Sequence, residues 1–103
     1  MPLELRPNCE LCDEDLGVAA TNARICSYEC TFCAECVETR LLNVCPNCGG
    51  GFVPRPIRPA TEWRPGVSRD RQPPSTERRV MRYGLDDVRH FSERVRTTPP
   101  EQR

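Results

Sequence analysis

The sequence predicts a small α+β fold dominated by metal: two four-cysteine zinc sites, a short β-hairpin and one short helix, followed by a proline- and arginine-rich tail. Three observations carry that expectation. The eight cysteines of the 103-residue chain fall as four pairs between positions 9 and 48, namely Cys9/Cys12, Cys26/Cys30, Cys33/Cys36 and Cys45/Cys48. The same stretch holds few large apolar side chains. Beyond it the composition changes, and with it the sign of the charge.

A tetrahedral zinc site takes four soft ligands, and a short C-x-x-C turn aims two thiolates at one ion. Four pairs therefore complete two sites with no cysteine left over. A disulfide framework is the competing use of paired cysteines. The opening Met1–Pro7 has no apolar stretch of the length a secretory signal requires, and no run approaches the roughly 20 apolar residues of a membrane span. A reducing cytoplasm is expected, and there paired cysteines are metal ligands. Iron–sulfur clusters also use four cysteines, but the paired spacing lacks the clustered C-x2-C-x2-C-x3-C run of a ferredoxin.

Residues 1–51 offer a modest core: Leu3, Leu5, Leu11, Leu16, Val18, Ile25, Tyr28, Phe32, Val37, Leu41, Leu42 and Val44. A unit of this size is near the lower limit of independent folding. A structural zinc can supply on the order of 10 kcal/mol of folding free energy, so the cysteines are expected to make this segment fold. The halves differ in charge. Residues 1–51 hold three Arg against eight acids, a net of −5, and residues 52–103 hold twelve Arg against seven acids, a net of +5. Two zincs, each held by four thiolates, would make the first half more acidic still.

Taken in order, residues 1–8 are an extended lead-in and Cys9–Cys12 is the first cysteine turn. Val18–Ala20, a turn at Thr21–Ala23, and Arg24–Cys26 predict a β-hairpin. From Cys33 to Leu42 the pattern predicts a helix of two to three turns, with Val37 and Leu41 inward at i, i+4 and Glu38 and Arg40 outward. Asn43 ends it. Cys45–Cys48 is the last turn, with a glycine-rich exit. The two-zinc module is thus expected over 1–52. Residues 53–76 carry six prolines and are expected to be a disordered linker. Over 77–97, Met81, Leu85, Val88, Phe91 and Val95 line one side of an amphipathic helix, with Thr76 as N-cap and Gly84 interrupting; the rest of the tail to 103 is expected to be disordered.

Cys30 and Cys33 are separated by only two residues. If consecutive pairs shared metals, one site would close at Cys30 and the next open at once. An interleaved arrangement is easier to build, with Cys9, Cys12, Cys33 and Cys36 at site 1 and Cys26, Cys30, Cys45 and Cys48 at site 2. Spacing does not eliminate the sequential pairing.

The run C-x2-C-x13-C-x3-C-x2-C-x2-C-x8-C-x2-C resembles the RING-finger pattern, with Cys30 at the usual histidine position. Leu11 before the second ligand, Phe32 before the fifth and Pro46 inside the last pair strengthen the resemblance. It implies a cross-braced, treble-clef-type fold with two zinc ions. Leu3–Phe52, with Glu-Cys-Thr-Phe-Cys-Ala-Glu-Cys and Cys-Pro-Asn-Cys-Gly-Gly, is also similar to a family of small bacterial cysteine-rich proteins known only as a domain of unknown function. That resemblance implies a fold and no activity.

In RING ubiquitin ligases the residues matching Leu11 and Pro46 contact the conjugating enzyme. Here the helix lacks the Trp common between the sixth and seventh ligands, Gly49 stands where many ligases place a cation, and the chain has no Lys to accept ubiquitin. Shared fold does not transfer function. A hydrolytic zinc keeps an open position and usually includes His or Glu, whereas eight thiolates fill two sites, and the single histidine, His90, is expected to be an exposed helix residue. The chain is therefore expected to be a non-enzymatic module that binds another protein through Leu11, Pro46, Val37 and Leu41, without membrane contact. Two alternatives stand beside it. Zinc-bound thiolates can be oxidised with loss of metal. Arg55, Arg58, Arg64, Arg69, Arg71, Arg78, Arg79 and Arg82, with Trp63, could bind nucleic acid through the tail.

Overall fold

In the computed structural model residues 2–103 are described; Met1, the first position of the expected 1–52 module, lies outside the described residues. Three short antiparallel strands form the only sheet among these residues, in the order β2-β1-β3: β1 is Ala23–Ile25, β2 is Thr31–Cys33 and β3 is Val53–Pro54. Ala23 faces Cys33, Arg24 faces Phe32 and Ile25 faces Thr31, while β3 pairs with the other edge of β1 through Arg24–Pro54 and Ile25–Val53.

The hairpin is therefore one segment later than the sequence pattern suggests. Val18–Ala20 is no strand. Ala20 N–H donates to Gly17 O at 3.0 Å and closes a turn. The loop Cys26–Cys30 is itself the hairpin connection: Cys26 N–H bonds Cys30 O, and Glu29 N–H bonds Cys26 O with Glu29 at φ 67°. A cysteine turn reverses the chain as tightly as a hairpin loop does.

Helix α1 (Ala34–Cys36) follows β2 directly and runs on as a π-helical stretch, Val37–Leu41. Val37 and Leu41 are buried and Glu38, Thr39 and Arg40 are exposed, as the i, i+4 pattern requires. The wide turn ends on Leu42 and Asn43, both left-handed at φ 52° and 60°, with the N–H groups of both residues on Val37 O. That double reversal leads into Val44 and Cys45, both fully buried.

Phe32, Leu16, Leu41 and Val44 are the largest side chains fully buried in the core. Phe32 meets Phe52 edge-on, with ring centroids 5.5 Å apart at 77°, the favoured arrangement of two aromatic quadrupoles. Leu3 and Tyr28, expected among the apolar core, are exposed.

The proline-rich stretch is laced to the module. Arg55 is buried at 5 % exposure, and its guanidinium donates to Arg6 O at 2.9 Å and Gly17 O at 3.0 Å. Arg58 donates to Leu3 O and Gln72 O, and Ser75 N–H to Leu5 O. Prolines suit such a strap because its backbone bonds are made by a few residues only.

The tail helix α2 is Leu85–Val95, shorter than the expected 77–97. It starts at Gly84 rather than Thr76: Arg78, Arg79 and Met81 are tied to Asp13, Asn8 and Glu10 along the first cysteine turn instead. Asp86 and Asp87 in the first turn and Arg94 in the last complement the helix dipole. Of the expected stripe, Val88 is buried, Met81, Phe91 and Val95 are half-buried, and Leu85 is 58 % exposed. Ser92, unforeseen, is fully buried. The helix packs against Val37–Leu41. Among the described residues no helix is long and apolar enough to cross a membrane.

Candidate metal centre

Two turns of the same construction present the outer cysteine pairs. After Cys9-x-x-Cys12, Asp13 is left-handed at φ 65° and its N–H donates to Cys9 O at 2.9 Å. After Cys45-x-x-Cys48, Gly49 is left-handed at φ 80° and its N–H donates to Cys45 O at 2.7 Å. Each closes a loop that points both thiols the same way. Cys33 and Cys36 are presented differently, from the strand-to-helix junction at the end of β2 and the first turn of α1.

The thiols gather in two groups. Cys9, Cys12, Cys33 and Cys36 have sulfurs all within 4.8 Å of one another, and so do Cys26, Cys45 and Cys48. Pair one thus meets pair three, and Cys26 of pair two meets pair four. Cys30 lies outside the tight triad of the second group. Its Sγ accepts a 3.3 Å bond from Asn47 Nδ2, which holds it to one side.

The donors suit a soft divalent ion. Sulfurs about 2.3 Å from a tetrahedral zinc lie about 3.8 Å from one another, and Cys12 Sγ to Cys33 Sγ is 3.8 Å. Six of the eight thiols are buried; Cys12 and Cys48 are exposed, one in each group. Backbone N–H groups also face the sulfurs: Tyr28 N–H donates to Cys26 Sγ at 3.3 Å and Gly50 N–H to Cys48 Sγ at 3.4 Å. The bond from Tyr28 favours the thiolate at Cys26.

Protonation within the groups is uneven. Hydrogen bonds from Cys30 and Cys45 pull the Cys26 thiol down to about 3. The reciprocal bonds to Cys26 and Cys30 hold Cys45 far above its ordinary value. Burial works to raise Cys9, but N–H groups of Cys12, Cys33 and Leu11 bring it below its usual value. Burial pushes Cys33 up to about 11 and raises Cys36 as well. Packed this closely, the thiols of one group cannot all ionise without a cation to compensate them.

Several supporting residues give little sign in the sequence. Glu10, between Cys9 and Cys12, is 4 % exposed; its Oε2 accepts from Thr31 N–H at 2.6 Å and Arg6 Nη1 at 2.9 Å, tying the first turn to β2. Asn8 is fully buried; its Nδ2 donates to Arg79 O at 2.7 Å and its Oδ1 accepts from Arg79 N–H at 3.1 Å. The amide reads residue 79 as a neighbouring strand would.

Of the expected docking residues, Leu11 is half-buried, while Val37, Leu41 and Pro46 are buried. Pro46 and Asn47 line a groove of ≈ 360 Å³ with Tyr83, Asp87, Val88 and Phe91 of the tail. His90 is exposed on α2 and is absent from both thiol groups.

The chain matches, over residues 2–58, the family described as a protein of unknown function, DUF1272. The match extends past Phe52 to take in β3 and Arg55. An uncharacterized protein of Rhizobium meliloti (strain 1021) is 61 % identical over 59 residues, which is 57 % of this chain and 70 % of that protein. No solved structure matches. The match covers more than half of the chain's length, and the protein belongs to the DUF1272 family.

Proposed function

We propose that the chain is a non-enzymatic module in which two zinc ions fix a RING-like, cross-braced surface for binding another protein. The observation that carries this reading is the interleaving of the thiols: pair one with pair three, and Cys26 with pair four. Cys9, Cys12, Cys33 and Cys36 hold the first ion, and Cys26, Cys30, Cys45 and Cys48 the second once Cys30 swings in from its place beside Asn47. Four thiolates on each zinc leave no position for water or substrate. The docking face lies between the two cysteine turns, around Leu11 and Pro46, with Val37 and Leu41 supporting it from beneath.

The tail arginines favour this reading over nucleic-acid binding. Arg55 and Arg58 are spent on carbonyls, Arg71 on Glu62, Arg78 on Asp13 and Asp15, and Arg79 on Glu4. Of the eight, only Arg64 and Arg82 lack a side-chain hydrogen bond among the described residues. Titration of the reduced, metal-free chain with Co²⁺ tests the site: sulfur-to-cobalt charge transfer saturating at two equivalents supports it, and saturation at one overturns it.

One observation favours a second reading, a redox-responsive release of metal: each thiol group exposes one member, Cys12 or Cys48. Two thiolates of a group would give two electrons to hydrogen peroxide and join as a disulfide, while the peroxide takes two protons and leaves as two waters. Zinc release at low peroxide that a thiol reverses would support it; release only with general unfolding would not.

A further inference from the structure

The groove between the two cysteine turns is not empty. From Arg78 onward the chain's own tail lies across it. Arg78 bonds Asp13 and Asp15 of the first turn, Arg79 is read by the Asn8 amide, and Met81 N–H donates to Glu10 O at 2.9 Å. The tail then crosses Pro46, and α2 seats Val88 in the core and Phe91 over Gly49, where an added Cβ would stand 3.6 Å from the ring. All of this lies beyond residue 58, outside the part of the chain the family match covers.

We propose that the tail is an in-chain ligand of the module, occupying its docking face and displaceable by a protein segment of the same chemistry. That segment has an arginine to pair with Asp13 and Asp15, an apolar residue three positions on at an extended stretch, and a helix with apolar residues at i, i+3 in place of Val88 and Phe91. The idea rests on the interaction-module reading. Charge favours it, since the module is acidic and the tail basic. The seating is also imperfect. Ser92 is fully buried with no hydrogen-bond partner for its Oγ, Arg79 Nε is likewise buried and unpartnered, and Val80 and Leu85 remain exposed. A buried hydroxyl without a partner carries an uncompensated desolvation cost. A competing segment with alanine there escapes it. The tail holds its place partly through the roughly millimolar effective concentration of a tethered ligand.

The test uses the full chain and a fluorescent synthetic peptide of residues 77–97 carrying Ser92→Ala. A tail-released chain, Arg78→Glu with Phe91→Asp, is compared with the unaltered chain, both with metal counted by native mass spectrometry. The expected result is that the released chain, retaining its metals, binds the peptide at least tenfold more tightly than the unaltered chain. Equal binding by the two chains, or none by a metal-loaded released chain, overturns the proposal. Should the released chain lose metal, the deciding measurement is hydrogen exchange of Leu85–Val95 in the unaltered chain. Faster exchange with peptide in excess of the tethered concentration supports displacement, and unchanged exchange overturns it. A count other than two in the unaltered chain tells instead against the two-zinc module itself.

Discussion

The sulfurs of Cys12 and Cys33 lie 3.8 Å apart although the residues stand 21 positions from each other in the chain. This contact distinguishes interleaved from sequential pairing, because only the former places the two cysteines at one ion. The double variant Cys12→Ser with Cys33→Ser should therefore lose one zinc and keep the other at saturating metal. Cys12→Ser with Cys26→Ser should lose both. Retention of one ion in the second variant and none in the first, by native mass spectrometry, would mean that pairing is sequential.

Metal should hold the fold. A chelator under reducing conditions should abolish the near-ultraviolet signature of Phe32 and Phe52 packing, and added zinc should restore it. Zinc binds thiolate, so loading at neutral pH should release protons, and affinity should weaken as pH falls. Zinc uptake with no proton release would show that the thiols are not the ligands.

Gly49 combines a φ of 80° with Phe91 lying over it. Gly49→Val forces a β-branched residue into the left-handed region, at a cost of about 1–2 kcal/mol or more. Urea denaturation of the zinc-loaded protein should show this loss. Asp13 occupies the equivalent place in the first turn but tolerates it, since an aspartate reaches that region more readily than valine.

Phe32 is fully buried between β1 and Phe52. Phe32→Ala should cost about 3–5 kcal/mol, and Phe32→Leu markedly less. Equal losses for the two would show that the aromatic packing with Phe52 contributes nothing of its own.

Arg55 is a polar strut rather than a surface charge. Arg55→Met keeps much of the stem but leaves Arg6 O and Gly17 O without their donor. A loss of about 1.5–3 kcal/mol is expected, against less than about 1 kcal/mol for removal of the exposed Arg64.

How far the sequence revealed this architecture depended on the range of the interaction. The closeness of Cys30 and Cys33 made interleaving the easier expectation; the sulfurs of Cys9, Cys12, Cys33 and Cys36, and those of Cys26, Cys45 and Cys48, lie within 4.8 Å of one another. The inward face of Val37 and Leu41 was likewise legible, because it depends only on helical period. The hairpin was misplaced because Val18–Ala20 has strand-like residues but sits after Gly17, which turns the chain, while the Cys26–Cys30 loop does the reversing. Thr76 resembled an N-cap, but residue 79 pairs with Asn8, 71 positions away, and the helix begins only after Gly84. The burial of Glu10 and Arg55 follows from partners that no local pattern discloses. Cys30 was assigned by spacing to the second group, yet its sulfur lies outside the triad and accepts a hydrogen bond from the Asn47 amide.

Native mass spectrometry of the untagged chain, purified under mild reduction, addresses the central claim most directly. The account predicts two zinc ions per chain with all eight cysteines carrying no disulfide mass. One ion or none, with masses showing disulfides between the pairs, would contradict it.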